Sequence, residues 1–291
     1  MKNFMGKDGF TWFVGVVEDR QDPKHLGRVR VRCLGYHTED LVKLPTSDLP
    51  WAHPMNPITS ATVSGVGQTP LGVVEGTWVV GFFTDIDKQM PMIMGTLPGV
   101  PSTLPTKDSV KGFQDYANAN YPKYKETDVN RLAVNATDNP HSTLTLRKAD
   151  RDLAVGVVQI DGIFEGVAQI PTDLDVTSWD EPITPYNATY PHNHVHESEG
   201  GHIKEIDDTP GSERIHERHN SGSGYEIHPD GSKVTRVKKD NYDIITNDDY
   251  CHIQGVSRHT VDKGLRVRVN SLGVSGNNYN IEVGQGSNVN I

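Results

Sequence analysis

Toward its C-terminal end the sequence carries a period that a lone chain has difficulty satisfying. Ile253, Val261 and Val269 stand eight positions apart, and so do Val283 and Ile291, with Gly255, Gly264, Gly276 and Gly284 close by. One such octad holds a strand of about five residues and a glycine corner. A single row of short strands has no second layer to cover its apolar side, so it must stack or intertwine with copies of itself. A last strand ending at Ile291 would otherwise be an open edge. The pattern predicts a fibrous, homo-oligomeric C-terminal module; the alternative is the edge of an ordinary β-sandwich.

Composition agrees with a β-rich chain full of turns. Of 291 residues, 35% are hydrophobic and 7% aromatic, with 28 glycines and 18 prolines, a mix too apolar for disorder and too rich in turn formers for a helical protein. No apolar run approaches the roughly 18 residues of a membrane span, and MKNFMGKDGFTWF lacks the apolar core of a signal peptide. Two lone cysteines, Cys33 and Cys251, point to folding in a reducing compartment and hold no zinc between them. The net charge of -10 argues against nucleic acid as a partner.

The chain divides into three parts. Residues 1–100 read as a small closed β-barrel of about five short strands: 11–19, the stretch from Arg28 to Cys33, 60–66, 72–83 and 90–96, with Gly76 and Gly81 as bend or bulge positions. In the second strand Val29, Val31 and Cys33 alternate with Arg28, Arg30 and Arg32, so the arginines are expected on a solvated or subunit-facing side. Residues 101–185 form an arm and connector, acidic and interrupted by Gly156, Gly162, Gly166 and Pro171. Residues 186–291 switch to short alternating pieces (HIKEIDD, GYEIHP, SKVTRVKK, YDIIT) punctuated by Thr209-Pro210-Gly211 and Pro229-Asp230-Gly231.

No catalytic residue is assigned. The sequence has no G-x-S-x-G, H-E-x-x-H, P-loop or G-x-G-x-x-G pattern, and Asp207-Asp208 before Thr209 reads as turn chemistry. His192, His194 and His196 share one face of a strand. They are the only candidate metal ligands, either within one chain or around an axis shared by several; the other reading is a polar strand at the module's entrance. No other cofactor is expected.

Two separated blocks carry a family resemblance. Trp12 to Arg20, Asp22-Pro23, Leu26 to Arg32, Leu49-Pro50-Trp51, Pro57 to Ala61 and Val74 to Thr77 resemble the N-terminal OB-fold of the central spike proteins of T-even-type contractile-tailed phages. Gly112-Phe113, Asp115, Tyr121-Pro122 and Asp128 to Leu132 resemble the arm that follows it. The run Gly201-His202-Ile203-Lys204-Glu205-Ile206-Asp207-Asp208-Thr209-Pro210-Gly211-Ser212-Glu213-Arg214 is similar to the entrance of that family's triple-stranded β-helix, and to VgrG spikes of type VI secretion. The resemblance covers most of residues 10–132 and 179–250, with the octads a looser match.

The resemblance implies an all-β chain: an OB-fold barrel, an extended connector and an intertwined trimeric β-helix needle. It implies a structural role as the baseplate hub spike that punctures the host outer envelope when the sheath contracts. The implied partners are two further copies of the chain, hub proteins beneath the tail tube, a small tip protein at the C-terminal end and the envelope itself. The implied location is the distal centre of the tail in the virion, after synthesis in the host cytoplasm. Arg28, Arg30, Arg32, His202, Asp207, Asp208, Pro210, Gly211 and the octad positions are the expected structural or interaction residues. The lysozyme domain that other members carry between barrel and needle has no counterpart in residues 133–185, so muramidase activity is not carried over. The alternatives are a peptidoglycan- or glycan-degrading tail spike and a secretion-system spike.

Overall fold

A computed structural model of the chain describes residues 11–62, 72–107, 109–123 and 184–269. It also describes the short pieces 127–128, 170–171, 178–179, 181–182, 273, 275–276 and 278–284. Among the described residues the regular structure is nearly all β. Two compact units divide it, one of residues 1–165 with 183–240 and the other of residues 166–182 with 241–291.

The first unit begins with β1, Thr11–Asp19, a run of aromatic and β-branched residues buried without a break from Gly15 to Glu18. It is followed by β2, Val29–Cys33, a turn of 3-10 helix at Thr46–Asp48, β3, Trp51–Pro54, β4, Trp78–Phe83, and β5, Pro91–Thr96. These strands close into a barrel of order β1-β2-β3-β5-β4, with β4 returning to β1 and β3 parallel to β5. Phe13, Val17, Val29, Val31, Cys33, Ala52, Val79, Phe83 and Ile93 fill it. The barrel is the expected one, with two adjustments to its strands. The piece expected at 60–66 forms no strand over 60–62, and 63–66 lie outside the described residues; β3 takes its place in the order. The strand expected from 72 starts only at Trp78, because Glu75 and Gly76 make a turn with Gly76 at φ +83°. Gly81 does sit at a bulge, where the β4–β5 register shifts.

The second unit holds β6, Ile170–Pro171, and β7, Ser178–Trp179, a short antiparallel pair. The rest of the connector expected over 133–185 falls largely outside the described residues.

Back in the first unit, β8, Asn193–Glu197, β9, Ile203–Asp207, β10, Arg214–Arg218, β11, Gly224–Ile227, and β12, Lys233–Arg236, form an antiparallel meander in chain order. Its turns use the expected residues. Ser212 N–H bonds Thr209 O and Gly231 N–H bonds His228 O, and Gly211 and Gly231 take φ of +78° and +86°. β10 was not among the alternating pieces picked out above; its Arg-Ile-His-Glu-Arg pattern becomes a strand through pairing on both sides. YDIIT forms no strand, and neither do the octads among the described residues. Ile253, Val261, Val269 and Val283 are exposed, and Ile291 lies outside the described residues. The intertwined β-helix expected there is therefore not displayed by one chain.

Candidate functional site

For a chain with no catalytic signature, the informative sites are those where charge or apolar surface is placed against expectation. The arginine face of β2 is the first. Arg32 is fully buried, not solvated: its Nε and Nη2 donate to Glu18 at 2.6 and 3.0 Å, while Nη1 and Nη2 donate to Thr38 O and Leu44 O. Glu18 also accepts from Thr46 Oγ1 and from Phe113 N–H. A Cβ on Gly112 would collide with the Arg32 guanidinium stem. The loop after β2 and the arm thus cover Arg32, which corrects the solvated or subunit-facing position expected for that residue.

The two other arginines are also occupied internally. Arg30 Nη1 donates to the carbonyls of Thr46, Ser47 and Leu49, and its guanidinium lies 4.4 Å from the Trp51 ring centroid. Arg28 pairs with Asp22, whose carboxylate further accepts the N–H groups of Lys24, Leu26 and Arg28. The Arg28 guanidinium, ahead of those N–H groups, holds the Asp22 carboxyl well below the usual carboxylate range. In the barrel core, burial pushes the Cys33 thiol up to about 12, which keeps it protonated and inert.

The meander is the second site, and its two faces differ. The inner face is an ionic cluster. Arg214, nearly fully buried, pairs with Glu205 at 2.7 Å and Glu226 at 2.6 Å. His216 adds a contact to Glu205 and His228 one to Glu226. The segment from Thr184 lies over this cluster: Thr184 Oγ1 donates to Glu226, and the Tyr186 ring stands 4.8 Å from the Arg214 guanidinium. Burial opposes charge on Glu226, yet the Arg214 cation beside it keeps its carboxyl below the usual range. Asp207 is buried and orients the next turn by accepting the Thr209 N–H, while Asp208, Pro210 and Gly211 are exposed. This fits the expected turn chemistry.

The outer face is apolar along one line. His194 opposes Ile206, Ile206 opposes Ile215, and Ile215 opposes Ile227 across four strands. Ile206 and Ile215 are 48% and 43% exposed, so the row is open to another surface. His194 and His196 of β8 lie on this same face and His192 is in the turn before it, all exposed. No group of three or more His, Cys, Asp or Glu side chains converges on a metal position among the described residues. His202, further along, stacks on His219 with centroids 4.4 Å apart. Both this row and the buried arginine were beyond residue-by-residue reading. Ile206 and Ile227 are legible in alternating pieces, but Ile215, and the alignment of all three, follow only from the pairing register.

Residues 35–169 match the family of Gp5 N-terminal OB domains. Over 287 residues, 89% of this chain, the sequence is 40% identical to Protein Gp5 of Vibrio phage KVP40. Over 133 residues, 44% of the chain, it is 43% identical to the pre-baseplate central spike protein Gp5 of Enterobacteria phage T4. The chain spans 65% of the first relative's length and 23% of the second's.

Proposed function

We propose that this chain, a relative of the Gp5 proteins of phages KVP40 and T4, is a central spike of a phage tail baseplate. The observation that carries the reading is 40% identity over 89% of the chain to a Gp5 protein. The isoleucine row, exposed at Ile206 and Ile215 and half-buried at Ile227, supports its oligomeric side. A row of three isoleucines across the meander, followed by octads with exposed apolar positions, is surface that copies of the same chain would bury.

In this reading three chains pack their meanders by the Ile206–Ile215–Ile227 face and continue as an intertwined needle. The barrels dock on hub proteins, a small tip protein caps the needle, and sheath contraction drives the assembly into the outer envelope. The part is mechanical. Ladder hydrogen bonds running between chains leave no free edge, so load is carried by backbone. The reading calls for no cofactor and no hydrolytic step.

Light scattering on the purified full-length chain, with and without SDS at room temperature, tests it. A trimer that survives SDS is the expected result, and a well-folded monomer sinks the needle. Clearing of permeabilised Gram-negative cells or purified murein by the pure chain would move the reading to a hydrolytic spike.

A further inference from the structure

Three segments of the first unit meet at one carboxylate, and a fourth reaches it through Arg20. Glu199, in the turn between β8 and β9, accepts from Arg20 Nη1 at 2.9 Å and Arg20 Nη2 at 2.5 Å, a forked pair between residues 179 positions apart. It also accepts from the Tyr121 hydroxyl at 2.6 Å. Arg20, just past the end of β1, directs its Nε to Glu75 at 3.4 Å, and Glu75 is 4% exposed in the turn before β4.

The arm is shaped to bring Tyr121 to this point. Asp115 is buried and accepts the N–H groups of Asn118, Asn120 and Tyr121, curling the chain into a tight loop. The Tyr121 carbonyl then lies so close to the Glu75–Gly76 turn that a Cβ on Gly76 would stand 2.9 Å from it. At φ +83°, Gly76 also occupies backbone space that favours glycine. The close approach and the forked ion pair thus fall at the same junction.

We propose that Glu199 is the pin of an electrostatic clasp that fixes the first turn of the meander to the barrel and the arm. The clasp makes barrel and meander of one chain move as a single body. The inference stands apart from the spike reading, because it concerns contacts within one chain and does not require a trimer. A forked, charge-assisted pair is directional, so it sets an angle as well as a distance. Glu75 anchors the far side of Arg20, which leaves the guanidinium fork aimed at Glu199. The Arg20 guanidinium first, then the Tyr121 hydroxyl, hold the Glu199 carboxyl down to about 2. A depressed carboxyl stabilises the folded arrangement above its ordinary range and loses that contribution as pH falls from about 4.5 toward 2. The clasp is therefore closed at neutral pH and throughout mild acid.

Hydrogen exchange on the full-length chain tests this, comparing wild type with Glu199→Lys, Glu199→Gln, Arg20→Gln and the double variant Arg20→Gln with Glu199→Gln. In Glu199→Lys the amides of Asn120, Tyr121 and Gly201 should exchange about tenfold faster, while barrel-core amides keep their protection. Glu199→Gln and Arg20→Gln should each fall between, and the double variant should lose little more than either one, because each already breaks the same pair. Unchanged exchange at those three amides in both Glu199 variants would overturn the clasp. So would fully additive acceleration in the double variant, since that would mean two independent effects and not a charge pair. Light scattering on the same variants reads the trimer separately, so failure of the clasp and failure of the spike reading give different patterns.

Discussion

Glu18 gathers four donors from three places in the chain: two nitrogens of Arg32, the Thr46 hydroxyl and the Phe113 amide. Both side chains of the ion pair are excluded from water. Such a pair is costly to half-dismantle, because the remaining ion is left buried and alone. Glu18→Ala is expected to lower stability by about 3–5 kcal/mol in urea unfolding. The double change Glu18→Leu with Arg32→Met should not recover that loss, because the Phe113 amide, the Thr46 hydroxyl and the Thr38 and Leu44 carbonyls lose these partners as well. If Glu18→Ala costs no more than a surface change, the pair is not the anchor described. Alternation in the sequence was enough to put Arg32 opposite Val31. It could not show that a lid exists, because one strap of that lid, the Phe113 amide, comes from 95 positions away. The charged residue looked solvent-bound because local pattern reports a side, not what lies on it.

At the scale of elements, the barrel depends on backbone approaches that leave no room for a methyl group. A Cβ on Gly81 would run into the carbonyl of Met92 and come within 2.6 Å of the Phe13 ring, at the bulge between β4 and β5. Gly81→Ala should therefore destabilise the chain by about 1–3 kcal/mol, read as a lower midpoint of thermal unfolding by circular dichroism; an unchanged midpoint would mean the bulge relaxes freely. Gly81 was legible in the sequence as an interruption in an apolar strand. The four-residue β3 was not, since Trp-Ala-His-Pro between prolines has neither length nor alternation. It is a strand because β2 and β5 supply partners on either side. The converse holds for YDIIT, which has strand-like residues but joins no sheet among the described residues.

For the whole molecule, the decisive surface is the isoleucine row. Ile215→Asp places a charge in its middle, where one chain alone barely notices: Ile215 is 43% exposed, and exposed substitutions usually shift stability by less than about 0.5 kcal/mol. In the proposed trimer the same charge would be buried without a partner. The expected outcome is a monomer by light scattering whose barrel-core amides keep their protection in hydrogen exchange. A trimer of wild-type mass would place the contact elsewhere.

The meander has a further consequence, in time. Each of its strands pairs with the next one along the chain, whereas the barrel closes only when β1 meets β4. Bringing near neighbours together costs little chain entropy, and folds built from local pairs form fast. A newly made chain can thus complete its meander before its distant strands, or any other chain, have been found. In the proposed trimer, three finished meanders would then bring their octads together in step, at the moment those segments first need partners. The local hairpins would set the starting register, and the rest of the needle could wind from there without having to search for it.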